Sequence, residues 1–356
     1  MTPLWSKLIP ILGVLVLAAA IVLPMSTLLA VICVLTLIGN VICAVHHAEV
    51  VAHRVGEPFG TLVLALAVTI IEVALIVSIM LSGGLETAAV PRDTVFSAIM
   101  IICNGLIGLC LLIGGIRHHE QSFNVGGANA ALATLIALTT LSLVLPAFTS
   151  SSPGLTYSAA QLSFAAIASL VLWGTFVFVQ TVRHRGYFLP VHATADENIH
   201  AAPPTIRRAW LSFGFLIVGL GVVVGLAKML SPSIEAAVIR VGAPQATIGV
   251  LIAVLVLLPE TWAAARAAIA NRLQTSLNLA LGSALASIGL TIPAVALTSL
   301  LLERPLQLGL GAKDLVLLTL TFLVTSITLV TGRTSVMQGA IHIVIFAAFL
   351  FLTLIP

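Results

Sequence analysis

Residues 48–58 read AEVVAHRVGEP, and residues 234–244 read IEAAVIRVGAP. At a constant offset of 186, Glu49 meets Glu235, Arg54 meets Arg240, Val55 meets Val241, Gly56 meets Gly242 and Pro58 meets Pro244. The same offset pairs Thr61 with Thr247 and Ser97 with Ser283. Each copy reads as a short amphipathic stub closed by a Gly-x-Pro break, because Gly tolerates unusual φ and Pro turns its predecessor away from helix. A long apolar run then follows with one carboxylic acid in it. Glu72 lies in TLVLALAVTIIEVALIVSIML (61–81), and Glu260 lies in TIGVLIAVLVLLPETWAAA (247–265).

The surroundings of these two runs are of the same kind. Among 356 residues, 60% are hydrophobic and 8% are charged, with a mean hydropathy of +1.21. Soluble domains carry about a quarter charged residues, so an ordinary soluble enzyme and a disordered chain are both excluded. Fifteen Lys and Arg spread over this length make no basic patch for nucleic acid. Apolar runs split by Gly, Pro and charge predict eleven spans, near 6–23, 27–45, 58–82, 93–115, 129–148, 157–182, 208–230, 244–265, 277–301, 313–331 and 337–355. An outer-membrane barrel would alternate with period two in every span. These runs do not, and they read as helices. The first resembles a signal peptide in length, but Lys7 is its only positive charge and a second span follows at once, so it reads as a retained helix. The four cysteines, Cys33, Cys43, Cys103 and Cys110, all fall inside apolar runs and read as small buried residues.

The expected organisation is an all-α polytopic membrane protein with a leading transmembrane helix (1–26), a first half (27–182), a cytoplasmic linker (183–207) and a second half (208–356). The linker, RHRGYFLPVHATADENIHAAPPTIR, is the only hydrophilic stretch of any length and is too short for a soluble catalytic domain. Five spans separate the two repeated segments, so they cross the membrane in opposite directions. Inverted five-helix repeats of this kind are a signature of secondary transporters, with the ion site near the midplane. With the N-terminus inside, ten Lys and Arg fall on the cytoplasmic side and five outside. The positive-inside rule therefore favours N-in and C-out, in a bacterial inner (plasma) membrane.

Ten of the twelve acids sit in loops or at span ends; Glu72 and Glu260 do not. A charge at the bilayer centre costs on the order of 3 kcal/mol on insertion scales. Two at matched depth in inverted repeats therefore point to an ion path. Hard cations take six to eight oxygens, often from several carboxylates. Thr69, Thr261, Ser97 and Ser283 are candidate hydroxyl ligands beside Glu72 and Glu260, and Pro259 frees a backbone carbonyl one turn back. Cation and proton competing for the same two acids is the thermodynamic core of antiport. A passive channel is another reading of the same residues. No resident cofactor is expected beyond the transported Ca2+, Na+, K+ and H+; the partners are the lipid bilayer and these ions. His46, His47 and His53 with Glu49 have helical spacing, but Ile239 replaces His53 in the second copy, so they read as an interfacial face outside the shared core.

The segments RVGEPFGTLVLALAVTIIEVAL, LLPETW, SALASIGLTIP and the ending GRTSVMQGAIHIVIFAAFLF resemble the ChaA-type calcium/proton (sodium/proton) antiporters of the cation/Ca2+ exchanger (CaCA) superfamily. The likeness runs from about His46 to the C-terminus. It implies one leading helix followed by two inverted five-helix repeats, and Ca2+/H+ exchange, with Na+/H+ or K+/H+ exchange as the same-fold alternative. The superfamily's repeats carry Gly-Asn-x-x-Glu. Glu72 and Glu260 match the Glu, whereas Val68-Thr69 and Val256-Leu257 stand in place of Gly-Asn.

Overall fold

The computed structural model describes residues 3–56, 59–82, 85–189 and 204–356. Among the described residues eleven long helices follow the expected order, ten of them apolar over a full membrane span and the remaining one, α3, apolar over Ala65–Leu81. They are α1 (Trp5–Val22), α2 (Thr27–Val55), α3 (Phe59–Ser82), α4 (Thr87–His118), α5 (Val125–Ala147), α6 (Ala159–Arg183), α7 (Ile206–Val241), α8 (Ala246–Ile269), α9 (Leu273–Leu302), α10 (Ala312–Val330) and α11 (Val336–Leu354). Polar caps start several of them: Ser26 accepts from the Leu29 amide, and Ser158 with Gln161 forms a reciprocal capping box. The helices differ in how much they bury. In α4, 78% of the apolar window is inside the protein, against 22% in α1 and α6, so α4 is central and the other two face lipid. Most of the linker, residues 190–203, lies outside the described residues.

The expected stubs are not separate elements. Residues 46–55 are the last turns of a continuous 29-residue α2, and 234–241 are the last turns of a 36-residue α7. Nothing between Val45 and Val55 breaks a helix, and Pro232 in α7 is carried inside it. At 1.5 Å per residue these helices are about 44 and 54 Å long, well beyond a hydrocarbon core of about 30 Å. The breaks themselves fall where the sequence puts them. Gly56 and Gly242 both have positive φ, 80° and 70°, a region that L-residues with a Cβ avoid. Glu57 and Pro58 lie outside the described residues.

Packing repeats across a two-fold relation between α2–α6 and α7–α11. The two opening helices, α2 and α7, pack on each other. α3 packs on α9 while α8 packs on α4, and α4 packs on α11 while α9 packs on α6. The fourth helices, α5 and α10, touch each other. Loop contacts fix which helix ends lie together. Gln121 pairs with Thr334 and Ser122 with Arg333 at one end, and Arg92 bonds the Gly309 carbonyl at the other. The buried apolar residues form two cores. One is built from α1, α2 and α7; the other from α4, α5, α6, α9, α10 and α11. Among the described residues only α3 and α8 contribute substantially to both: Val68, Ile71 and Leu75 face the first core, Ile76 and Met80 the second, and α8 divides likewise.

Candidate functional site

Glu72 and Glu260 are carried by α3 and α8, the two helices on the seam between the cores. Both are buried, 3% and 2% exposed. Each accepts a hydrogen bond from a serine of α9: Ser287 Oγ to Glu72 Oε1 at 2.7 Å, and Ser283 Oγ to Glu260 Oε2 at 2.5 Å. The serines are four residues apart, one turn of one helix, so α9 presents two hydroxyls in a column. The two carboxyls thus sit against successive turns of the same helix. Glu260 Oε1 is buried with no hydrogen-bond partner. An orphaned acid oxygen in a low-dielectric interior is costly, and natural proteins keep such atoms where a ligand or proton completes them.

A cavity leads away from Glu260 and Ser283 between α6 and α9, past Trp173, Phe176 and Asn278 to Gln180. Its ~40 Å3 holds about three waters at roughly 10–15 Å3 each. It reaches toward the end of the protein that carries Arg183 and Arg272.

The expected ligands divide. Glu72, Glu260 and Ser283 come together. Thr69, Thr261 and Ser97 turn their hydroxyls to their own helices, bonding the carbonyls of Ala65, Leu257 and Asp93. That is the ordinary habit of Ser and Thr in a helix. Nothing in the sequence singles out Ser287 beyond its i+4 spacing from Ser283.

The His46/His47/His53 group is not one face. His47 is 1% exposed, bonds the Ser6 carbonyl at 2.7 Å and stacks on Phe215, whereas Glu49 and His53 are exposed. The expectation of a solvated face therefore fails for His47, because α1 and α7 cover that side of α2. Among the described residues, no three His, Cys, Asp or Glu gather into a metal-binding cluster.

A second buried polar group joins α4, α10 and α11. His342 Nδ1 meets Asn104 Oδ1 at 3.1 Å and Nε2 meets Thr328 Oγ1 at 3.2 Å, while Asn104 Nδ2 donates to Thr321 Oγ1 at 2.9 Å. Asn104 lies in a wide π turn, Ile101–Leu106, inside α4. Since Nδ2 is committed to Thr321, the Asn104 oxygen faces His342, and the imidazole carries its proton on Nδ1.

Residues 25–182 and 211–355 match the family model described as sodium/calcium exchanger protein. The chain belongs to this exchanger family. Within it, the chain is 50% identical over 361 residues to y4hA of Sinorhizobium fredii, covering 99% of this chain and 97% of that one. It is 34% identical over 350 residues to the sodium-potassium/proton antiporter ChaA of Escherichia coli, covering 97% and 94%. The fold is similar to that of the solved Ca2+/H+ antiporter YfkE, with a TM-score of 0.72 at 14% identity and 99% of each chain covered. The chain is of the ChaA type within the CaCA superfamily, and its two buried glutamates lie on α3 and α8 against α9.

Proposed function

We propose that this exchanger trades Ca2+ for protons by alternating access, with Glu72 and Glu260 binding cation and proton in turn. The observation that carries the reading is the pair of buried carboxyls on crossing helices, each held by a serine of α9, with Glu260 Oε1 unpartnered. Four carboxylate oxygens and two hydroxyls make six, the lower bound of what Ca2+ takes, before any backbone carbonyl or water. Two carboxylates balance one divalent charge. Left uncompensated, two negative charges in a low-dielectric seam are prohibitively costly. The seam therefore shifts only when loaded with a cation or with protons, and this condition couples the two flows. The body made of α1, α2 and α7 moves against the rest, with the glutamates between them. In this reading the N-terminus is cytoplasmic, the C-terminus is outside the inner membrane, and the cavity from Glu260 toward Gln180 is the cytoplasmic path.

A second reading, Na+/H+ or K+/H+ exchange on the same site, is favoured by the 34% identity to the sodium-potassium/proton antiporter ChaA. It is also favoured by Thr69 and Leu257 in place of two carboxamides. Proton flux in reconstituted liposomes, measured on adding Ca2+, Na+ or K+ separately, separates the two. Ca2+-driven proton release is expected from the wild type. Glu72→Gln and Glu260→Gln, which keep size and lose charge, reduce every cation-driven flux to that of empty liposomes. Near-normal flux in either variant overturns the shared-site mechanism. Flux with Na+ or K+ but none with Ca2+ selects the second reading.

A further inference from the structure

At the other side of the first core, the ends of α1, α2 and α7 enclose a pocket that the exchange mechanism does not use. Its walls are Lys7 of α1, His47 of α2, and Thr205, Arg207, Arg208 and Ser212 at the start of α7. Three cations gather here, and among the described residues no Asp or Glu pairs with any of them. Polar atoms in its lining are left without partners. His47 Nδ1 and Ser212 Oγ are buried and unbonded, each on a residue 1% exposed, and Arg208 Nε is unbonded as well. The roles of these atoms are fixed by chemistry. The Ser6 carbonyl can only accept, so His47 donates through Nε2 and keeps an unshared lone pair on the buried Nδ1. Stacking on Phe215, with ring centroids 5.3 Å apart, holds the imidazole in that orientation. Arginine and lysine offer donors to an anion, and Ser212 offers a hydroxyl.

We propose that this pocket binds the headgroup of an anionic phospholipid whose phosphate diester carries a hydroxylated alcohol, as in phosphatidylglycerol. The phosphate oxygens sit among Lys7, Arg207, Arg208 and the Ser212 hydroxyl, and a headgroup hydroxyl donates to His47 Nδ1. Phosphate is the anion that several guanidinium and ammonium donors match. The surroundings favour a lipid over a free phosphate. Trp5 and Trp210, near Lys7 and Arg208 along their helices, are exposed, 41% and 69%, as aromatic residues at a membrane–water boundary are. Leu8 and Leu211, also exposed, offer apolar surface to acyl chains next to it. Basic pockets between helix ends on the cytoplasmic side recognise such headgroups.

The test is native mass spectrometry of the full-length protein in detergent, titrated with phosphatidylglycerol, with phosphatidylcholine, or with inorganic phosphate. The wild type is expected to retain phosphatidylglycerol in preference to phosphatidylcholine, and inorganic phosphate is not expected to displace it at equal concentration. Arg207→Gln, whose side chain is exposed and whose loss leaves the helix packing intact, weakens retention about five-fold. Lys7→Gln with Arg207→Gln and Arg208→Gln abolishes the preference. Ser212→Ala retains the phosphate contacts of the cations and weakens binding less than Arg208→Gln. Equal retention of the two lipids by the wild type, or an unchanged preference in the triple variant, overturns the proposal. Displacement by inorganic phosphate at equal concentration overturns the lipid as its source.

Discussion

At the scale of single residues, the candidate site consists of four side chains, and only three of them stand out in the sequence. A carboxylic acid inside a twenty-residue apolar run is conspicuous because almost nothing else there is polar, so Glu72 and Glu260 are legible without a structure. Hydroxyls are common in spanning helices and most serve the backbone of their own helix, as Thr69, Thr261 and Ser97 do. Spacing along one helix does not say which hydroxyl crosses to a neighbour, and Ser287 is decided only by the crossing of α3 and α9. The difference is testable. A hydrogen bond to a charged group contributes about 1.5–3 kcal/mol, so Ser287→Ala raises the cation KM about ten- to a hundred-fold. Ser97→Ala, which removes a bond to its own helix, leaves KM within about two-fold on the same scale. KM also falls as the medium is made more alkaline. In the proposed mechanism protons and cation compete for the same oxygens, so fewer protons means tighter apparent cation binding. A KM that stays flat across neutral and alkaline buffers contradicts the shared site.

At the scale of elements, the eleven helices were legible because each apolar run is long enough to cross a membrane and is bounded by Gly, Pro or charge. What was not legible is where a helix continues through an apparent boundary. His46–Val55 reads as amphipathic and separate because its polarity changes, yet no residue there opposes helix, so α2 runs on to Gly56. The π turn in α4 has no signature in the sequence either. It carries Asn104 toward His342 and Thr321, and this group ties α4 to α10 and α11. His342→Leu leaves Asn104 Oδ1 and the Thr328 hydroxyl without their partner in the interior. An unmet buried polar group costs about 1–3 kcal/mol. The variant is therefore expected to lose several degrees of thermal stability in detergent while cation KM stays as in the wild type. A changed KM with an unchanged melting temperature would instead place His342 on the ion path.

At the scale of the whole molecule, the two cores make a prediction about movement. Gly219 of α7 lies against Ala44 of α2, where an added Cβ would stand 3.6 Å from the alanine Cβ. That is within the ordinary Cβ–Cβ span of a disulfide. Ala44→Cys with Gly219→Cys, made in a chain whose four native cysteines are replaced, is expected to cross-link on oxidation and still exchange, because both helices belong to one body. Exchange that stops on oxidation and resumes on reduction shows instead that α2 and α7 slide past each other. The two halves are not equivalent when each is taken alone. Both serines that hold the acids come from the second half. At the offset of 186, the first half has Ile101 in the place of Ser287. Two copies of the first half, assembled head to tail, would bring two glutamates together with only Ser97 to meet them. Two copies of the second half would offer Ser283 and Ser287 to each. A homodimeric ancestor-like exchanger is therefore within reach from residues 208–356 and not from residues 27–182.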